Sequence, residues 1–123
     1  MGSEMCIRDS QYTATALTAD NAKQIYPQSA YPANVSSGTE DHASHGVNAG
    51  MKALAVARNV SRILAIEMIC ASNVLGSDEI GISQHAKDLC RAIREASPLL
   101  RGDRSQADEI ERLSRSVESG SLP

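Results

Sequence analysis

The chain has 123 residues, with 12 basic against 15 acidic side chains, three tyrosines and neither phenylalanine nor tryptophan. That length allows one modest domain, and so few rings leave little to fill a self-standing core, so the chain is either a slender helical unit or a piece of something larger. A net charge of -3 without a cluster of Lys or Arg argues against nucleic acid as a partner, and the longest apolar runs, 63–66 and 68–71, fall far short of the roughly 18 residues of a membrane span.

Residues 1–10 hold no apolar h-region and no small-residue cleavage site, so they do not read as a secretory signal. The string Met5-Cys6-Ile7-Arg8-Asp9 looks like translated sequencing-adaptor read-through, so 1–10 is taken as a non-native leader outside the fold and 11–123 as the helical segment. Cys70 and Cys90 then remain, each among apolar neighbours and neither in a C-x-x-C spacing. Reduced thiols in a cytosolic protein are expected.

From Tyr12 to Ile25 a weak helix is expected, with Ala14, Leu17 and Ile25 apolar and Pro27 as its stop. Tyr26 to Thr39 carries Pro27, Pro32, Gly38 and three serines without periodicity and reads as an irregular loop, of a length usually functional or disordered. After Glu40 and Asp41 comes the strongest signal, a long helix to Leu75 with Val56, Val60, Leu64, Met68, Ala71 and Leu75 on one face and Gly76 as its stop. Every residue from Ile63 to Ala71 except Glu67 is apolar, so this helix is expected to be surrounded by protein, with Glu67 in a buried ion pair. Ser83 then caps a helix lined by Ala86, Leu89, Cys90, Ile93 and Ala96 and ended by Pro98. Ser105 and Asp108 resemble a capping box before Ile110, Leu113 and Val117, with Glu111 and Arg115 placed to pair and Gly120 closing the helix. The fold class is all-α: one long central helix followed by two shorter ones.

Polar and ionisable groups converge at the junction of loop and long helix: Thr39, Glu40, Asp41, His42, Ser44 and His45. A carboxylate at or just before a helix start faces the positive end of the macrodipole, which favours its ionised form. Glu40 would then suit a cationic or hydrogen-bond-donating substrate, or acid-base work. The plainer reading makes Asp41 or Ser44 the helix cap and leaves the histidines as polar residues at a helix start. His42 and His45 lie one turn apart beside two carboxylates, but no third ligand of suitable type follows, and no metal is expected. Ser36-Ser37-Gly38 carries no weight as a nucleophile motif.

Four stretches, in order and at matching spacing, resemble the C-terminal part of the aromatic amino acid ammonia-lyases, and most of all their histidine-specific members. Gln11-Tyr12-Thr13-Ala14-Thr15-Ala16-Leu17 is similar to Q-Y-T-A-A-A-L, and Thr39-Glu40-Asp41-His42-Ala43-Ser44-His45-Gly46 to Q-E-D-H-V-S-M-G. Arg62-Ile63-Leu64-Ala65-Ile66-Glu67 is similar to R-x-L-A-I-E, and Arg94-Glu95 with Pro98 and Asp103-Arg104 to a stretch near the family's C-terminus.

The resemblance implies an all-helical homotetramer whose long helices form a central bundle. It also implies a methylidene-imidazolone (MIO) electrophile, made from an internal Ala-Ser-Gly that this sequence does not contain. The activity it implies is elimination of ammonia from an amino acid, L-histidine to urocanate being the expected case, in the cytoplasm. Phenylalanine or tyrosine ammonia-lyase, an aminomutase, and a non-catalytic helical oligomerisation module are the alternatives. Glu40 matches the glutamate of the family motif beside the substrate's imidazole and amino group, where members acting on phenylalanine and tyrosine have Gln. Thr39 is the neighbouring substrate-binding candidate. Thr39 and His45 depart from the family's Gln and Met. The 123 residues alone are expected to be inactive, a fragment of a longer chain.

Overall fold

A computed structural model describes residues 2–30, 34–39, 43–75 and 81–123, with side chains from residue 8 onward. Four helices carry it: α1 (Gly2–Ala22), α2 (Gly46–Leu75), α3 (Gln84–Ala96) and α4 (Ala107–Ser119), with single 3-10 turns at Gln28–Ala30 and Ser36–Gly38. There is no strand among the described residues. The all-helical reading, with one long helix before two short ones, holds.

The helix boundaries follow local chemistry. The Ser83 hydroxyl accepts the Ala86 amide at 3.2 Å and starts α3. Gly120, at φ 65°, closes α4 with its amide on the Val117 carbonyl, and Ser121 reaches back to Ser116 at 3.1 Å. The capping box expected from Ser105 and Asp108 does not form. Instead Gln106 occupies the cap position, and the Ser105 hydroxyl accepts from the Ala107 amide at 3.4 Å, too early in the chain to reach Asp108. At the other end, α1 begins at Gly2 and runs through Ser10 without a break, because no proline interrupts it.

The core sits where α2, α3 and α4 meet: Ala65 and Ile69 of α2, Ile93 of α3 and Leu113 of α4 are buried, with Met68, Leu89, Ala96, Ile110 and Leu122 packed round them. Arg62 extends the α2 to α4 contact by pairing with Glu111 at 3.2 Å. Glu111 also pairs with Arg115 one turn on, at 3.8 Å, as the spacing predicts.

Two expectations about α2 are corrected. Its buried face is Ala65, Ile66, Ile69 and Ser72, whereas Val60 and Leu64 of the expected stripe are 42% and 37% exposed. A helix apolar nearly all round offers adjoining usable stripes, and the docking of α4 selects the neighbouring one, with Met68 at its edge. Glu67 falls on the outward stripe and is exposed, so it forms no buried ion pair. It acts on Cys70, whose thiol is pushed up first by burial and then by the Glu67 charge. Cys70 and the buried Cys90 are both free. The expected stop at Gly76 lies outside the described residues.

Candidate functional site

The chain leaves α1 through tight turns, with Lys23, Gln24 and Ile25 amides on the carbonyls of Asp20, Asn21 and Ala22. It re-enters helix at Gly46. Between these points Ser36, Ser37 and Gly38 stand in the left-handed region at φ 54°, 55° and 85°. Two serines there cost about 1–2 kcal/mol each, so the turn stores strain directly ahead of the polar cluster. Its bonds run from the Gly38 amide to the Val35 carbonyl at 3.2 Å and from the Thr39 amide to the Ser36 carbonyl at 3.1 Å. Thr39 is exposed and right-handed at φ -73°.

On the far side, His45 is half-buried at φ 49°, and its carbonyl accepts the Ala49 amide at 3.1 Å, the first helical bond of α2. Gly46 opens the helix six positions beyond Glu40. The macrodipole acts within about the first turn. Chain order therefore gives no support to the dipole argument for Glu40. Of the expected site residues, the structure places Thr39, Ser44 and His45 at the two ends of the junction. Glu40, Asp41 and His42 lie outside the described residues. Among the described residues no three His, Cys, Asp or Glu side chains gather in a way that could hold a metal ion.

The structure adds two residues that the polar cluster did not point to. Lys52 Nζ donates to the Tyr26 carbonyl. Asn59 Nδ2 donates to Asp20 Oδ2 at 3.1 Å and to Asn21 Oδ1 at 2.9 Å. Hydrogen bonds from Lys23 and then Asn59 hold the Asp20 carboxyl below its ordinary value. Lys52 and Asn59 are seven apart, two turns along one side of α2, and that polar spacing is the signal that could have found them. Beside them lies an open cavity of about 460 Å³, lined by Ile25, Tyr26 and Pro27 on one wall and Lys52, Ala53 and Val56 on the other. A second cavity, of about 590 Å³, lies between α1 and the start of α4, where Ser10 Oγ donates to Gln106 Oε1 at 3.2 Å and Arg104 forms part of the wall.

The family model for aromatic amino acid lyases matches residues 2–95. The chain belongs to the aromatic amino acid lyase family. It is similar to the histidine ammonia-lyase of Symbiobacterium thermophilum, 39% identical over 115 residues, and to that of Anaeromyxobacter dehalogenans, 36% identical over 113, each alignment covering 91% of this chain and 22% of the relative. The crystal structure of histidine ammonia-lyase from Trypanosoma cruzi superposes with a TM-score of 0.80 at 30% identity, over 89% of this chain and 22% of that one. This aromatic amino acid lyase chain thus spans about a fifth of the length of the proteins it matches. The family match begins at residue 2, inside the stretch expected to be a leader. No described helix of the chain is long and apolar enough to cross a membrane.

Proposed function

We propose that the chain is part of a cytoplasmic carbon-nitrogen lyase that eliminates ammonia from L-histidine to give urocanate, with Glu40 binding substrate and moving a proton and Thr39 beside it. The observation that carries this reading is a glutamate in the Thr39–Gly46 stretch of a chain whose relatives are named histidine ammonia-lyase. In the reaction the bond from the α-carbon to nitrogen breaks, a proton leaves the β-carbon, and the electron pair of that C–H bond becomes the new double bond. An ionised carboxylate accepts charge-assisted hydrogen bonds from an imidazole N–H or an ammonium group, and can take up a proton, which a neutral amide does poorly.

The residues present do not fit the source of an MIO electrophile. The sequence has no Ala-Ser-Gly, and Ser36-Ser37-Gly38 is an exposed left-handed turn. The proposal therefore places that group outside these 123 residues and routes no step through it. Assembly into a homotetramer belongs to the same reading. It is supported by the outward stripe of α2, where Val60, Leu64 and Val74 are 42%, 37% and 85% exposed and would be covered by further helices.

The test is made in the complete enzyme that contains this segment, by following urocanate formation. Glu40→Gln and Glu40→Ala should lower kcat/KM for histidine by at least about a hundredfold. Unchanged kinetics would remove Glu40 from the site. Turnover of phenylalanine or tyrosine in preference to histidine would refute the substrate while leaving the lyase.

A further inference from the structure

The outward face of α2 carries a regular seam. Taking the helix from Gly46 in alternating steps of four and three, each position reached up to Val74 is Gly, Ala, Val or Leu, apart from Glu67, and each is exposed. That average step is the spacing by which one helix packs along the length of another. The seam follows nearly all of a 30-residue helix, about 45 Å. Among the described residues no other helix is as long: α1 has 21 residues, and α3 and α4 have 13 each. Those three already pack on other sides of α2, where Asn59, Arg62 and Ile69 point. The helix that matches the seam in length is α2 of a second copy.

The seam also states a direction. Its first half is small, with Gly50, Ala53 and Ala57, and its second half carries Leu64, Glu67 and Val74, so it is centred on Val60. A second α2 running antiparallel about a two-fold axis near Val60 sets the large half of each copy against the small half of the other. A parallel copy would leave small against small and bring Glu67 onto Glu67, a repulsive contact. The small half is moreover the floor of the open cavity walled by Ile25, Tyr26 and Pro27: Ala53 and Ala57 line it, and Lys52 is its one charged lining residue. In the antiparallel pair Leu64 reaches that cavity and Glu67 arrives on its Lys52 side. The Lys52 ammonium, donor to the Tyr26 carbonyl, has further N–H groups for a carboxylate. It supplies the cation that Glu67 requires once apolar neighbours cover it.

We propose that α2 docks antiparallel on α2 of a second copy, with Leu64 and Glu67 of each seated in the other's cavity and Glu67 paired with Lys52. This rests on the homotetramer reading and adds to it a face, a direction and an ion pair. The experiment uses the complete enzyme and reads its mass by analytical ultracentrifugation, with melting curves beside it. Glu67→Lys and Lys52→Glu should each convert the tetramer to smaller species at micromolar concentration, and the Glu67→Lys/Lys52→Glu exchange should restore it. Ala53 and Glu67 are roughly 21 Å apart on one helix, so an Ala53→Cys/Glu67→Cys enzyme can form a 53–67 disulfide only between copies. Mild oxidation should give that link, seen as a reducible dimer and by peptide mapping. If a reversal unfolds the enzyme, the cysteine pair carries the test alone. A tetramer indifferent to both reversals, a loss that the exchange does not restore, links of 53 to 53 and 67 to 67, or no link at all would each overturn the inference. A monomeric wild-type enzyme would instead sink the tetramer reading beneath it.

Discussion

Glu109 offers a quantitative test of what joins α3 to α4. Its carboxylate accepts Arg104 Nε at 2.9 Å, Arg104 Nη2 at 3.1 Å and the Ser97 hydroxyl at 2.5 Å, so one acid ties the end of α3, the connecting loop and the first turn of α4. Arg104 also donates to the Pro98 carbonyl at 2.7 Å. The Glu109 side chain is 10% exposed and that of Arg104 is 34% exposed, so the pair is partly screened and counts for less than a fully buried one. Hydrogen bonds to a charged partner contribute about 1.5–3 kcal/mol, and after that discount Glu109→Gln should cost about 2 kcal/mol at pH 7. For a chain of this size that lowers Tm by roughly 8 °C. Burial pushes the Glu109 carboxyl up, but hydrogen bonds from Arg104 and Ser97, with the charges of Arg104 and Arg112, outweigh it and hold the carboxyl below its ordinary value. A depressed folded value means the stabilisation is complete above the unfolded value of about 4.3 and is lost as pH falls through the lower folded value. Thermal and urea unfolding followed by circular dichroism should show a gap between wild type and Glu109→Gln that is full at neutral pH and shrinks in acid. A gap under about 0.5 kcal/mol at neutral pH, or one constant into acid, would refute the assignment.

Two further stability predictions follow from single positions. Leu113 is fully buried at the junction of three helices, so Leu113→Ala should cost about 3–4 kcal/mol in urea unfolding, and a loss below about 1 kcal/mol would mean that α4 does not pack as described. Gly120 stands at φ 65° with open space where a Cβ would sit, so Gly120→Ala should cost only the backbone term, about 1 kcal/mol, and a cost of about 3 kcal/mol would show a steric contact at that cap.

Local signals are partly legible in the chain. Ser83 acts on its immediate neighbours, and Cys90 and Ile93, with Leu113 of the next helix, fall on stripes in polar surroundings where one face is plainly apolar. The first helix, expected to reach Ile25 with Pro27 as its stop, ends instead at Ala22. Family membership was also legible, because motifs such as Arg62 to Glu67 keep their order whatever they pack against. The face of α2 was not legible. With apolar residues on nearly every side between Ile63 and Ala71, periodicity could not choose between the stripe of Val60 and Leu64 and the stripe of Ala65 and Ile69. That choice turned on where α4 docks. The Glu109 clamp and the Lys52 to Tyr26 hydrogen bond are not legible either, because each joins residues that are not neighbours along the chain, the second across 26 positions. Propensity, capping and apolar spacing are properties of neighbours along the chain, and they determined that this protein is helical and where most helices stop. Which face is buried, and which polar groups meet, depends on contacts between distant segments, and the tertiary structure alone decided them.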